Sequence, residues 1–474
     1  MKIQALDRLL ASLPEYVYDA KIEFETALKS FNLKVIVLDD DPTGVQTVHD
    51  IPVYTSYEQA DIDNGFAEDG MFFILTNSRG FTSAAVESMN RTIAERILKA
   101  SVDTDKDFVI ISRSDSTLRG HYPLETQTLR DTIERNSDLK FDGEIICPFF
   151  IEGGRYTVNN IHYVLYGNDL IPAAQTEFAK DKTFSYNSSD LREWVEEKTN
   201  RKYTKESVRA VSIEHLRTKG SETVLTQLLE MKDFDKVVVN AVSYDDLWIF
   251  LTAYIRATEL GKRFIFRTAA AIPKLLGGVT DTELLTREQL ISGSTNGGLT
   301  VIGSHVEKTS EQLYQLLEHC DVQPIEFDQH LVLKQAKFEA EQHRVQQLIN
   351  DYISKGKDVV VYTRRDRLDM NTGNAEDELR LTNSISTAVT GFVKNMSLQP
   401  SYIIAKGGIT SSEIGTEGLN VTRAMVAGQV LPGIPVWRLG AESKFPGMAY
   451  IIFPGNVGNN DALQKIVQML KDKR

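Results

Sequence analysis

The strongest constraint on this chain is a recurring pattern: a short apolar, largely β-branched run, then a polar segment, then a helical periodicity. Residues 34–38, 71–76, 108–112, 144–147, 236–240 and 263–267 read as strands, with helices such as 84–100 and 247–260 between many of them. Continuous apolar strands alternating with helices specify an α/β fold, a mostly parallel sheet covered on its faces. Four of the runs lead straight into polar segments, at 39–44, 77–80, 113–120 and 148–157. Open parallel sheets bind ligands beyond the carboxyl ends of their strands, so a site belongs in these segments. A second series follows at 299–302, 358–362, 402–405, around Val436 and at 449–453, with helices over 310–318 and 338–354. Between the two series, 276–298 is glycine-rich and has few strand signals. The expected organisation is two α/β domains, 1–275 and 299–474, joined by 276–298, each a mostly parallel sheet flanked by helices.

A chain of 474 residues is too long for one ordinary core, and 42% apolar with 25% charged residues is the make-up of a globular protein. Its 53 basic and 66 acidic residues leave a net charge of −13, which argues against general binding of nucleic acid or anionic membrane. Anionic ligands would have to be held by local arginines and backbone N–H groups. Two cysteines, Cys147 and Cys320, make neither a disulfide framework nor a zinc cluster, and the eight histidines show no metal spacing. His49, His121, His162 and His305 lie near the polar segments, but no metal-binding or catalytic role is assigned to them. The first sixteen residues include Asp7, Arg8 and Glu15, which leaves no secretion-signal core, and no apolar run approaches the ~18 residues of a membrane span. The expectation is a cytoplasmic protein with small-molecule partners; homo-oligomerisation is left open.

Six segments could carry chemistry. Asp39-Asp40-Asp41-Pro42-Thr43-Gly44 places three carboxylates at a strand end, which is unfavourable unless cations or protons offset them. One is a candidate general base and another a candidate ligand for a hydroxyl or Mg²⁺; the alternative is a solvated acidic turn. Residues 112–120 combine Arg113 and Arg119 with Asp115 and four hydroxyls, among them Ser116, a set suited to a carboxylate and its neighbouring hydroxyls. Gly153-Gly154 before Arg155, followed by 171–181, allows close backbone approach to a ligand or simply a turn. In 401–413, Gly407-Gly408-Ile409-Thr410 leads from a strand into a helix start, where free N–H groups suit phosphate. Thr410 and Glu413 also have capping-box spacing. Gly303-Ser304 repeats this arrangement with a T-x-x-Q cap at Thr309 and Gln312, and Gly455-Asn456-Val457-Gly458 closes a third such loop.

In order, these segments resemble the four-carbon acid sugar kinase family. Asp40-Asp-Pro-Thr-Gly44 is similar to its D-D-x-T-G motif, Asp115-Ser-Thr-Leu-Arg-Gly120 to its D-S-T-L-R-G motif, and Gly303-Ser304, Gly407-Gly-Ile-Thr410 and Pro454-Gly-Asn-Val-Gly458 to its nucleotide-binding segments. The resemblance implies an ATP- and Mg²⁺-dependent kinase for acids such as threonate, erythronate or 3-oxo-tetronate, with the active site in an inter-domain cleft. It places Asp40, Asp41, Asp115 and Arg119 on the sugar-acid side, and Ser304, Gly407, Gly408, Thr410 and Gly455 on the ATP side. Asp41 is the expected base, Asp115 its partner, and Arg119 the carboxylate fork. Thr43, Gly44, Ser116 and Arg155 complete the acid site, and Ile409, Asn456 and Gly458 the nucleotide site. Ile409 stands where the family often has an acid, and the first motif extends into 46–50. Two other readings compete. Asp39-x-Asp41-x-Thr43 resembles the start of haloacid-dehalogenase-like phosphatases, with Asp39 as nucleophile. A sugar-acid sensor would use the same residues without turnover.

Overall fold

The computed structural model describes residues 3–17, 19–291, 293–366, 368 and 375–471. Residues 1–2, 18, 292, 367, 369–374 and 472–474, which fall within the expected domains and connection, lie outside the described residues. The chain forms two compact units, Met1–Gly44 with Ser56–Asp281, and Val45–Thr55 with Thr282–Arg474.

The first unit is built on a parallel sheet. Among the described residues its strand order is Arg209–Val211, Asp235–Val239, Gly143–Cys147, Phe264–Thr268, Phe108–Arg113, Lys34–Asp39, Met71–Leu75, with every adjacent pair parallel. The last five of these strands are buried along their whole length, which is why they read as unbroken apolar runs. Helix Ser83–Thr104 buries Val86, Met89, Ile93, Ile97 and Ala100, a spacing of three and four that fits one face of a 3.6-residue period. Helix Tyr244–Glu259 starts at a capping box of Ser243 and Asp246, and Asp246 also pairs with Arg217 at 2.8 Å.

A small antiparallel sheet accompanies it, in the order Gln4–Ala5, Asp169–Pro172, Ile161–Tyr166, Arg155–Val158. The sequence pattern assigns no strands here. The hairpin signal is Asn159-Asn160, both with positive φ (51° and 65°), the backbone of a tight two-residue turn.

The second unit has the order Ile51–Tyr54, Arg423–Leu431, Ile434–Leu439, Ala449–Phe453, Ile403–Lys406, Leu299–Ile302, Val359–Thr363, Gln323–Phe327. The last five strands are mutually parallel; the first four are joined by antiparallel pairs. Residues of Arg423–Leu431 are buried at every second position, as in a strand with one covered face. No helix among the described residues is long and apolar enough to cross a membrane.

Candidate functional site

In the first unit, adjacent strand ends bring together the charges that the sequence scatters. Asp39 pairs in register with Arg113 across neighbouring strands, so Arg113 Nη1 lies 3.1 Å from Asp39 and 3.5 Å from Asp40. After the next strand, Arg79 reaches back with Nε at 3.0 Å from Asp40 and Nη2 at 2.6 Å from Asp41. The Asp115 backbone N–H donates to Asp40 Oδ2 (3.0 Å), which ties the D-S-T-L-R-G loop to the acidic turn. Thr43 closes that turn by donating its N–H (2.9 Å) and hydroxyl (2.6 Å) to Asp41 Oδ1. Gly44 is required by space, because a Cβ there would sit 2.1 Å from the Asp39 carboxylate oxygens.

The three adjacent carboxylates differ sharply. Burial raises Asp39 to about 7 and Asp40 to about 6, against the pull of Arg113 and, for Asp40, Arg79. Asp41 feels the same burial, but Arg79 and the two Thr43 hydrogen bonds outweigh it and hold its carboxyl below the ordinary value. Asp115 is likewise held low, with Arg119 and Arg79 outweighing burial. Asp41 is also the outward one, its side chain 17% exposed against 2% for Asp39 and 1% for Asp40.

Arg119, the expected carboxylate fork, already has partners within the unit. Its Nε donates to Asp115 (2.8 Å), and Nη1 lies 3.6 Å from Asp181. Thr117 also donates to Asp115. Arg155 makes no ion pair among the described residues, and its Nε is buried without a hydrogen-bond partner, as is that of Arg267. Arg119 and Arg155 lie over one ring, Phe178, at 5.1 and 5.9 Å. Ser116 is buried, and its carbonyl accepts from His162 Nε2 (2.8 Å), while Thr157 donates to Nδ1 (2.9 Å). Burial pushes His162 down to about 4, so it is a neutral structural histidine. Arg267 closes the floor by donating to the Arg119 carbonyl (3.0 Å).

In the second unit, the loops after three strand ends come together. An added Cβ on Gly303 would lie 2.2 Å from Thr410 Oγ1, one on Gly407 3.0 Å from Ser304 Cβ, and one on Gly455 3.0 Å from Ser304 Oγ. Ser304, Gly407, Thr410 and Gly455 therefore line one cradle, and Gly407 takes a positive φ of 121° that favours glycine. Gly408 begins the helix, and Ile409 and Asn456 are exposed. Gly458 is tied in by Gln312 Nε2, which donates to the carbonyls of Val457 (3.0 Å) and Asn459 (2.8 Å).

Both expected helix caps are corrected. Thr410 makes no cap hydrogen bond, and Glu413 instead accepts from Ser386 and Thr390. Helix Glu307–His319 starts before Thr309, which donates to the Gly455 carbonyl (3.0 Å). Glu413 thus ties one helix to another and Thr309 ties its helix to a loop, rather than capping their own helices. Sequence reading also passed over Arg79, Phe178, Arg267, Lys406 and Arg365. Arg79, Phe178 and Lys406 lie within segments that the sequence singles out, whereas Arg267 and Arg365 lie at the ends of strands whose following segments carry no such signal.

The fold is that of a two-domain α/β protein. The chain belongs to the four-carbon acid sugar kinase family: residues 35–276 match the family model of a sugar-binding N-terminal domain, and 299–463 that of a nucleotide-binding C-terminal domain. Two solved structures share the fold. One is Haemophilus influenzae protein HI1011, of the family DUF1537, at 17% identity and TM-score 0.59, covering 91% of this chain and 99% of its own. The other is a Salmonella typhimurium LT2 protein provisionally described as a tRNA synthase, at 14% identity and TM-score 0.63, covering 92% and 98%. No curated protein matches the chain significantly.

Proposed function

We propose that this protein is an ATP-dependent kinase that phosphorylates a hydroxyl of a small sugar acid, of the four-carbon aldonic or ketoaldonic class such as threonate, erythronate or 3-oxo-tetronate. The observation that carries this reading is the pairing, on one chain, of an uncommitted guanidinium among carboxylates and hydroxyls with a glycine-lined cradle at three strand ends. Arg155 takes the substrate carboxylate, and Arg119, fixed by Asp115, flanks it across Phe178. Asp41 is the base: it is outward and kept ionised by Arg79 and Thr43. A weak base suffices, because in phosphoryl transfer positioning dominates and the hydroxyl proton leaves late. Asp115 orients its surroundings through Arg119. The cradle of Ser304, Gly407, Thr410 and Gly455 receives the phosphates. Mg²⁺ enters on ATP; among the described residues no group of three or more His, Cys, Asp or Glu side chains is arranged to hold a metal ion.

The phosphatase reading needs Asp39 as an exposed nucleophile, but Asp39 is buried, paired with Arg113 and covered by Gly44. The deciding experiment is ADP formation over a panel of C4 and C5 aldonic and ketoaldonic acids, with calorimetry of each ligand. Acid-dependent ADP formation is expected. Acid binding without turnover would make the protein a sensor, and ATP-independent ester hydrolysis a phosphatase.

A further inference from the structure

Lys406 is fully buried at the end of strand Ile403–Lys406. It pairs in parallel register with Phe453, so the two side chains share a sheet face. Its Nζ lies 3.8 Å from the Phe453 ring centroid and donates to the Pro454 carbonyl at 3.0 Å, immediately beneath residues 454–458. Among the described residues no carboxylate pairs with it. The charged groups that face it are both cations: Lys308, on helix Glu307–His319, with Nζ 3.4 Å from the Gly458 carbonyl, and Arg365, whose Nη2 donates to the Ser304 carbonyl at 2.7 Å. Arg365 Nη1 is itself buried without a hydrogen-bond partner. Three basic side chains thus gather at the glycine cradle with no carboxylate paired to them among the described residues, whereas in the first unit Arg79 and Arg113 are each matched by aspartates. Buried charge of one sign without a partner is stable only when it is neutralised or when an anion arrives.

We propose that Lys406 is a positioning residue of the nucleotide site, neutral in the empty protein and protonated when a polyphosphate binds on the loop above it. This rests on the reading that the second unit binds nucleotide. The step is one proton transferred from the buffer acid to the Lys406 amine as the phosphates bring in negative charge: an N–H bond forms on Lys406 while the buffer acid gives up its proton and becomes its conjugate base. The hydrogen bond to Pro454 is available to both forms, so the loop keeps its anchor throughout. Burial, reinforced by Lys308 and Arg365, pushes Lys406 down to about 6 in the empty protein, so the amine is largely neutral at pH 8 and already charged well below pH 6.

The test is calorimetric titration of the intact protein with ADP at pH 8, in Tris and in HEPES, whose ionisation enthalpies differ. Uptake of about one proton per ADP is expected, falling toward zero near pH 5, as linkage requires. Adenosine, which lacks the phosphates, should give none, and Lys406→Met should abolish the uptake. The unmodified protein alone decides the matter should the variant not fold: ADP binding with no buffer-dependent heat overturns the proposal. So does equal proton uptake in a folded Lys406→Met variant. Absence of ADP binding altogether removes the nucleotide reading first, and this inference with it.

Discussion

Asp39, Asp40 and Asp41 are consecutive, yet each answers to different neighbours. The raised values of Asp39 (about 7) and Asp40 (about 6) exceed the ~3.9 of a free aspartate. Between about pH 4 and 7 the folded protein therefore holds more protons here than the unfolded chain. This pair contributes stability that is complete below about pH 4 and lost as pH rises through 6 and 7. Asp41 and Asp115, held low, act oppositely, losing their contribution as pH falls below about 4. In Asp39→Asn, the drop in Tm between pH 5 and 7.5 should be smaller than in the parent by scanning calorimetry; parallel curves would mean that Asp39 does not titrate there. Gly44→Ala forces a methyl group against the Asp39 carboxylate and should cost about 1–3 kcal/mol in denaturant unfolding. Unchanged stability would show that the turn at 42–45 yields. For the substrate, Arg155→Lys keeps the charge and loses the fork, so it should raise KM for the acid at least ~10-fold, the equivalent of ~1.4 kcal/mol. Arg119→Lys should do less, because its Nε is committed to Asp115; the reverse order would return the carboxylate to Arg119.

At the scale of elements, strands buried on both faces were the most legible. Leu299–Ile302 and Ala449–Phe453 have the limits their apolar runs predict, and other central strands differ by a residue at one end or at both. Such strands must be apolar at every position, so their sequence cannot mimic a loop. The segments after them were legible too, because glycine pairs and charge clusters are poor core. Partners distant in sequence left no local signal. Arg79 meets Asp41 across 38 residues, and Val45–Thr55 leaves the first unit to lie beside Arg423–Leu431. The T-x-x-Q and T-x-x-E spacings misled because Thr309, Gln312 and Glu413 found partners in other elements, which local spacing does not reveal. The cradle offers an element-level check. Gly303→Ala would place a Cβ 2.2 Å from Thr410 Oγ1 and should weaken ADP binding at least ~10-fold, leaving acid binding within about twofold. Normal ADP affinity in a folded variant would remove this strand end from the nucleotide site.

At the scale of the whole molecule, the kinase reading requires both ligands for turnover, so on that reading ATP consumption should depend on the acid. Asp41→Asn tests this reading. The amide preserves size and can keep an acceptor toward Thr43, but it removes the charge that faces Arg79 and the site that takes the proton. If Asp41 acts only in the transition state, kcat should fall at least ~100-fold, the scale of general-base removal, while KM and ADP affinity stay near the parent's. A loss confined to KM would make Asp41 a binding residue and move the base elsewhere in the acidic cluster. Asp40, raised to about 6, would then be the better acceptor by basicity, though not by exposure. Intact-protein mass spectrometry with ATP should show no added phosphate in either form, since direct transfer passes through no aspartyl phosphate. A stable adduct on Asp39 would overturn direct transfer, and with it the assignment of Asp41 as base.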